Sequence, residues 1–215
     1  MPILVANYKN KVFVTQTKKT YSTILNAMNR WQYEEGASDY TGIFVQSKTR
    51  DELANEFFSY LNTAQICKSS TMGCAPDYYK YPKARNDGQG KNATLTIKGY
   101  HRAVLADGSI IAIMPYVGGD DECGRIFTDK VTDADGNWIS DGNGGYETKE
   151  TYSKQCGIML IDANGLKGPN QLGADTYSFI ITNNKISNWH TKIESVLTDE
   201  ELNYINYDAT GDFTN

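Results

Sequence analysis

Histidine is nearly absent from this chain of 215 residues, which contains only His101 and His190. Zinc sites and Ser-His-Asp triads usually need histidine, so a chain with two histidines argues against most sites of these classes. The nucleophile motif Gly-x-Ser-x-Gly is missing, and so is the phosphate-binding loop that ends in Gly-Lys-Ser or Gly-Lys-Thr. The sequence therefore predicts a protein that is not an enzyme and has no catalytic residue.

An excess of basic charge and a long apolar run are also lacking. The chain has 21 Lys and Arg against 26 Asp and Glu, a net charge of -5, which argues against nucleic acid as a partner. No run reaches the roughly 18 apolar residues that identify a membrane-spanning helix. With 40% hydrophobic and 22% charged residues the composition is globular, and we expect one domain over residues 1–215.

The four cysteines are Cys67, Cys74, Cys123 and Cys156, and no two of them form a CxxC motif. Their spacing fits no common zinc ribbon or finger, whereas free buried thiols remain an alternative. Four cysteines allow three disulfide pairings. We favour Cys67–Cys74, which closes a short polar loop, together with Cys123–Cys156, which joins the starts of two strand-like runs. Disulfides would indicate an oxidising compartment.

Residues 3–35 contain no glycine and no proline and predict one long helix, for which Gly36 is a natural stop. Its apolar stripe consists of Val14, Tyr21, Ile24, Leu25, Met28 and Trp31. The N-terminal half is polar and carries several lysines. We therefore expect the C-terminal half of residues 1–36 to pack on the domain and the N-terminal half to project.

After this helix, residues 37–94 are predicted as a short helix and loops. Thr49 and Glu52 have the spacing of a capping box, and the helix is expected to run to about Ala64. A second capping box, Thr198 to Glu201, predicts another short helix in the tail, residues 187–215.

An antiparallel sheet is predicted over residues 95–186. Asp107-Gly108 lies between two strand-like runs and is a strong hairpin signal. The predicted strands cover residues 95–105, 110–116, 124–131, 155–161 and 176–182. Helices segregated from an antiparallel sheet give an α+β fold.

Residues 162–175 combine tight turns with side-chain oxygens from Asp162, Asn164, Asn170 and Asp175. Calcium takes roughly six to eight oxygen ligands, so a calcium site is possible here. Alternatively the Asp and Asn side chains bond their own backbone and only shape the loop. We favour the second interpretation, because Lys167 brings a positive charge near the proposed cation.

Asp133, Asp135 and Asn137 match the first ligand positions of an EF-hand. The pattern then fails, because Trp138 and Gly144 stand where Gly and Glu are needed. A looser oxygen cage that includes Asp141 and a simple hairpin loop remain as alternatives.

Three stretches resemble the bacterial family with a prepilin-type N-terminal cleavage and methylation region. Residues 2–11 (PILVANYKNK) and 17–25 (TKKTYSTIL) are similar to the part of the signature helix that follows its membrane segment. Residues 105–111 (LADGSII) are similar to a hairpin of these proteins. Residues 162–170 (DANGLKGPN) with Asp175 resemble a C-terminal loop of type IV pilin-like and type II secretion pseudopilin-like proteins.

The resemblance implies a pilin-like fold and a structural role as a subunit of a type IV pilus or of a type II secretion-like filament. It implies other pilin-like subunits as partners, and a leader and apolar segment ahead of Pro2 that anchor the subunit in the inner membrane before assembly. The expected location is the bacterial cell surface or an extracellular filament. The alternative is a surface adhesin or glycan-binding module, which 15 tyrosines and three tryptophans favour.

Overall fold

The computed structural model describes residues 2–45, 47–67, 74–81, 94–116 and 123–203. Its helices are α1 (Pro2–Glu34), α2 (Arg50–Ser59) and α3 (Glu194–Thr198), with a 3-10 turn at Tyr40–Gly42. Its strands are β1 (Thr63–Cys67), β2 (Tyr78–Lys80), β3 (Thr94–Thr96), β4 (His101–Leu105), β5 (Ile110–Pro115), β6 (Arg125–Lys130), β7 (Thr148–Ser153), β8 (Gln155–Asp162), β9 (Thr176–Thr182) and β10 (Ile186–Asn188). The α+β prediction is thereby confirmed.

The long helix α1 divides into an exposed start and a buried remainder. Side chains at residues 7–9 and 11 are exposed, whereas burial begins at Phe13 and continues to Trp31. At the end of the helix, Gly36 adopts a φ of 64°, a left-handed conformation that glycine takes without strain. The helix thus lies on the domain with its later turns, while the side chains at residues 7–9 and 11 are in solvent.

Six strands form the main sheet in the order β1-β4-β5-β8-β9-β10, with neighbours antiparallel. Alternate residues point to opposite faces, as the pleat requires. One face packs under the helices through Ala103, Ile111, Ile113, Met159, Ile161 and Phe179. The other face, with Ala112, Ile158 and Leu160, is covered by Tyr79, Leu95, Tyr100 and Leu172.

The capping box at the start of α2 is confirmed. The Glu52 amide donates to the Thr49 hydroxyl, and the Glu52 carboxylate accepts from the Thr49 amide. The predicted extension to Ala64 is wrong, because α2 ends at Ser59 and Thr63–Cys67 forms β1 instead. Pairing with the free edge of β4 satisfies the backbone of this segment, an interaction that helical spacing cannot reveal.

The tail helix also begins earlier than expected. α3 ends at Thr198, where the predicted helix was to begin, and Glu200 has a φ of 59°. Its position is set by Asn188, whose side chain donates to Glu194 and accepts from the Ile193 amide. Residues 204–215, the rest of the predicted tail, lie outside the described part of the chain.

Candidate functional site

The structure contains two disulfides, Cys67–Cys74 and Cys123–Cys156, and this is the favoured pairing. The Cα atoms are 6.1 Å apart in the first and 4.6 Å apart in the second, both within the normal range. All four cysteines are buried. The second disulfide joins the two ends of a long excursion of the chain, residues 123–156, which we call the arm.

The four predicted calcium ligands lie in one loop, residues 162–175, which we call the carboxylate loop. It connects the end of β8 to the start of β9, where Asp162 pairs with Thr176 in the ladder. The Ala163 amide donates to the Asp175 carbonyl at 2.9 Å, so the two ends of the loop are held together. As a result both aspartates are fully buried at the same end of the sheet.

Asp162 shapes the first turn of the carboxylate loop. Its Oδ1 accepts from the amides of Asn164 (3.2 Å) and Gly165 (2.9 Å), an Asx turn. Gly165 has a φ of 68°, and a Cβ at this position would overlap the carbonyl oxygen of Gly108 in the β4–β5 hairpin. Only glycine therefore allows the turn to pack this closely on the hairpin.

Asp175 organises the second half of the loop. Its Oδ2 accepts from the Asn170 amide at 2.9 Å, and its Oδ1 accepts from the Gln171 amide at 2.8 Å and the Thr176 hydroxyl at 3.2 Å. A carboxylate with three donors can remain buried without a counter-ion in contact, because these hydrogen bonds replace part of its hydration.

Asn170 connects the two halves. With its amide nitrogen oriented toward acceptors, it donates to the Gly165 carbonyl (3.0 Å) and to Oδ2 of Asp162 (3.1 Å). Since its backbone amide also donates to Asp175, one residue bridges both carboxylates. Asn164 donates its side-chain amide to the Gly168 carbonyl at 3.0 Å, which closes the turn from outside.

Strand β2 lies against the carboxylate loop. The Lys80 amide donates to the Asn170 carbonyl, and the Leu172 amide donates to the Lys80 carbonyl, both at 3.0 Å. The fully buried Tyr79 directs its hydroxyl at Asp162. The two interact electrostatically, although the hydroxyl makes no hydrogen bond of ordinary geometry within the described residues. This contact has no signal in the sequence, because Tyr79 lies in a segment predicted as loop.

Burial changes the acidity of this cluster. Desolvation, with the nearby Asp175 charge as a second cause, raises the pKa of Asp162 well above its ordinary value. Desolvation also raises the pKa of Asp175, to about 6, although its backbone hydrogen bonds act in the opposite direction. The pKa of Tyr79 is raised by the same burial and by the Asp162 charge. The cluster is thus a buried acidic centre that favours protonated carboxyls.

The hydrogen bonds bear on the calcium hypothesis. Three of the four carboxylate oxygens accept from backbone amides of the loop itself, and the fourth accepts from Asn170. Among the described residues, no group of three or more His, Cys, Asp or Glu side chains is arranged to hold a metal ion. The geometry favours the loop-shaping role over a cation site, which is also the interpretation preferred from the sequence, and a calcium titration is the test.

The arm consists of the hairpin of β6 and β7 with a tip, residues 131–147, which is largely exposed. Asp133 accepts from the amides of Asp135 and Asn137, and Asp141 accepts from those of Asn143 and Gly145. These are two Asx turns, so Asp133 and Asp141 shape separate turns. This geometry favours the simple hairpin loop over an oxygen cage that would include Asp141.

Lys130 lies over two aromatic rings of the tip. Its ammonium nitrogen is 3.7 Å from the ring centroid of Trp138 and 4.0 Å from that of Tyr146. The two rings contact edge to face at 5.1 Å and remain 56% and 43% exposed. These cation–π contacts fix the tip on the strands below it.

An open groove of about 440 Å³ lies beside the carboxylate loop. The rings of Trp189 and His190 lie at its wall, tilted by 37° with 3.8 Å between centroids, and Asn188, Lys192 and Asn203 supply polar groups. An aromatic wall with polar groups around it is the feature expected of a glycan-binding module.

No helix among the described residues is long and apolar enough to cross a membrane. The chain matches no protein-family model, no curated protein and no solved structure. Arguments about function therefore rest on the residues and geometry of the chain itself.

Proposed function

We propose that this chain is a structural subunit of a type IV pilus or a type II secretion-like filament. The observation that carries the proposal is the division of α1. Its later turns are buried against the sheet from Phe13 to Trp31, while its first turns are exposed on every described side chain from 7 to 9. A helix that is buried along its later turns and exposed at residues 7–9 and 11 can continue into an assembly of such helices.

Two further features are compatible with this role. The disulfides suit an exported protein, because oxidised pairs persist outside the reducing cytosol. The carboxylate loop and the Asp107-Gly108 hairpin carry the sequence resemblance, and Gly165 packs on Gly108, so the two segments form one structural unit.

The direct test is the coding sequence ahead of Pro2 in the source genome. A basic leader followed by about 20 apolar residues would support the proposal, since that length spans a bilayer. The second test is shearing of cells that express the full-length protein with an epitope tag. We expect the tagged protein in the sheared filament fraction, and its absence from that fraction would contradict the proposal. A variant without the apolar segment is the matched control.

The alternative function, a glycan-binding module, is supported by the groove at Trp189. If the groove holds a sugar, Trp189→Ala should abolish binding on a glycan array, because stacking on the indole face would be lost. Trp138→Ala, which removes an exposed tryptophan from the arm, is the control and should leave such binding unchanged. An array without binding by the unsubstituted protein would remove this alternative.

A further inference from the structure

Charge is distributed unevenly between two exposed parts of the molecule. Residues 2–33 of α1 contain four lysines and one arginine and no Asp or Glu. The tip of the arm, residues 131–147, contains Asp133, Asp135, Asp141 and Glu147 and no Lys or Arg. The helix therefore creates a positive local field, whereas the four carboxylates of the tip outnumber the single ammonium of Lys130 that lies over its aromatic rings, so the field there is negative.

The lysines of α1 differ in whether they are paired within the chain. Lys18 pairs with Glu200 at 2.9 Å, and Lys19 pairs with Asp107 at 2.8 Å. Lys9 and Lys11 are exposed and make no salt bridge within the described part of the chain, although the charge of Lys11, after that of Lys18, helps to lower the pKa of Glu200. Together with Tyr8, which is 70% exposed, they form a surface at residues 7–11 that we call the basic end.

The carboxylates of the tip are similarly available. All four acidic residues are exposed, and within the described residues none of them forms a salt bridge. Hydrogen bonds from the Asn137 and Asp135 amides lower the pKa of Asp133, which keeps it ionised at neutral pH. The tip thus presents stable negative charge next to two exposed aromatic rings.

The base of the arm and the basic end of α1 lie at opposite ends of the sheet. Lys19 contacts Asp107 in the β4–β5 turn, at the end where β8 finishes and β9 begins, and the basic end extends beyond that point. The arm leaves at the other end, where Pro115 of β5 pairs with Gly157 of β8. The six residues of β5 separate the two ends by about 20 Å. This separation favours contact between molecules over contact within one molecule.

We propose that the acidic tip of the arm docks on the basic end of α1 in a second copy of this chain. Tip carboxylates pair with Lys9 and Lys11, and the aromatic rings of the tip lie near Tyr8. The contact joins two different surfaces, so it is heterologous and can repeat along a row of molecules. It rests on the proposed filament function as its biological setting, but it makes a claim about the isolated chain that can be tested separately.

The test is zero-length carbodiimide cross-linking, which joins a carboxylate to a lysine amine in direct contact. Equal amounts of ¹⁴N- and ¹⁵N-labelled protein are mixed at about 10 mM ionic strength, where charges interact over about 30 Å. We expect mixed-isotope peptides that link Lys9 or Lys11 of one copy to a tip carboxylate of the other. Their yield should fall steeply at about 1 M salt, where the screening length is about 3 Å.

Variants with reversed charge on either surface test whether the contact is electrostatic. The double variant Lys9→Glu/Lys11→Glu should lower the mixed-isotope yield by at least about tenfold, because repulsion replaces attraction. The basic-tip variant Asp135→Lys/Glu147→Lys should do the same, and neither of its side chains forms a turn hydrogen bond. Mixing the two variants should restore cross-links between the altered surfaces. Lys185→Glu/Lys192→Glu, which changes the charge equally at exposed positions elsewhere, should leave the yield unchanged.

Any of three results would overturn the inference. The cross-links could occur only within single copies, the Lys185/Lys192 control could lower the mixed-isotope yield as much as the charge-reversal variants do, or mixing the two variants could fail to restore the cross-links. If filaments contain the chain but these links are absent, this inference fails and the proposed function stands. If the links form and the chain is absent from filaments, the docking stands and the proposed function fails. Circular dichroism of each variant checks that it is folded.

Discussion

Asp162 and Asp175 are two buried carboxylates at the ends of one loop, and Asn170 donates a hydrogen bond to each of them. The arrangement has opposing effects on the free energy of folding. Hydrogen bonds from the loop stabilise the charged forms, while burial and mutual repulsion favour protonation. The balance makes the loop sensitive to pH and to small changes in its packing.

The first prediction concerns pH. The folded-state pKa of Asp175, about 6, lies above the ordinary value of 3.8, so the folded protein binds this proton more tightly than the unfolded chain. The resulting stabilisation is fully present below about pH 4 and is lost as pH rises through about 6. Between pH 7.5 and 4.5, this group should add about 1–2 kcal/mol to the free energy of unfolding, measured by urea denaturation.

The control for this prediction is Asp175→Asn, which removes the titrating group and keeps the shape of the side chain. Exposed carboxyls such as Asp133, whose pKa is lowered, make the protein less stable on acidification. This effect is the same in both proteins, so it cancels when their pH dependences are compared. The variant should be less stable and should gain less on acidification than the unsubstituted protein, with the remaining gain coming from Asp162, whose pKa burial also raises. Identical pH slopes in the two proteins would count against the buried position of Asp175.

The second prediction concerns Gly165→Ala. A Cβ at this position would overlap the Gly108 carbonyl oxygen, and the φ of 68° is unfavourable for alanine. We expect a loss of about 2–4 kcal/mol in the free energy of unfolding. Gly136→Ala is the matched control, since its φ is 84° but nothing lies within 4 Å of the added atom. It should cost only about 1 kcal/mol, and equal losses in both variants would show that Gly165 does not pack on the hairpin.

The third prediction concerns calcium. Because the loop amides and Asn170 already donate to the carboxylate oxygens, millimolar calcium should leave the melting temperature unchanged relative to a chelator. A bound cation at a hundredfold excess over its Kd would add about 2.7 kcal/mol and shift the melt by several degrees. Such a shift, abolished by Asp162→Ala, would establish a metal site and reverse our interpretation.

The fourth prediction concerns hydrogen exchange along α1. Amides around residues 7–11 should exchange rapidly, because their side chains are in solvent and the helix end can fray. Amides near Ile24 and Trp31, whose side chains are fully buried, should be protected nearly to the level of global unfolding. Slow exchange over the whole helix in a monomer would show that the first turns are covered.

The elements that the sequence predicted well are those with local signals. α1 has an uninterrupted helical pattern before Gly36, and Asp107-Gly108 encodes a tight turn between two apolar runs. The disulfide pairs follow from loop length and strand position. For α1, the hairpin and the Cys67–Cys74 pair the information is local in sequence, whereas Cys123 and Cys156 are 33 positions apart and were paired by their places at the starts of two strand-like runs.

The elements that were missed depend on partners distant in sequence. β1 forms because β4 offers an unpaired edge, and β7 has exposed side chains at its first five positions, so no alternation marks it. Tyr79 is completely buried while its neighbour Tyr78 is exposed, a difference that appears only once β2 docks on the carboxylate loop. The buried acidic centre was recognised as a set of oxygens, but the packing of β2 that raises its pKa values could not be predicted from composition.

The disulfide at the base of the arm has a mechanical consequence. Cys123 follows β5 and Cys156 lies within β8, and these are adjacent central strands of the sheet. A pulling force applied at the tip reaches Cys156 of β8 through both strands of the hairpin, directly from β7 and through the disulfide from β6. Because β8 pairs with β5 on one side and β9 on the other, the load is divided between two rows of hydrogen bonds. The arm can therefore transmit tension to the centre of the domain without opening its edge.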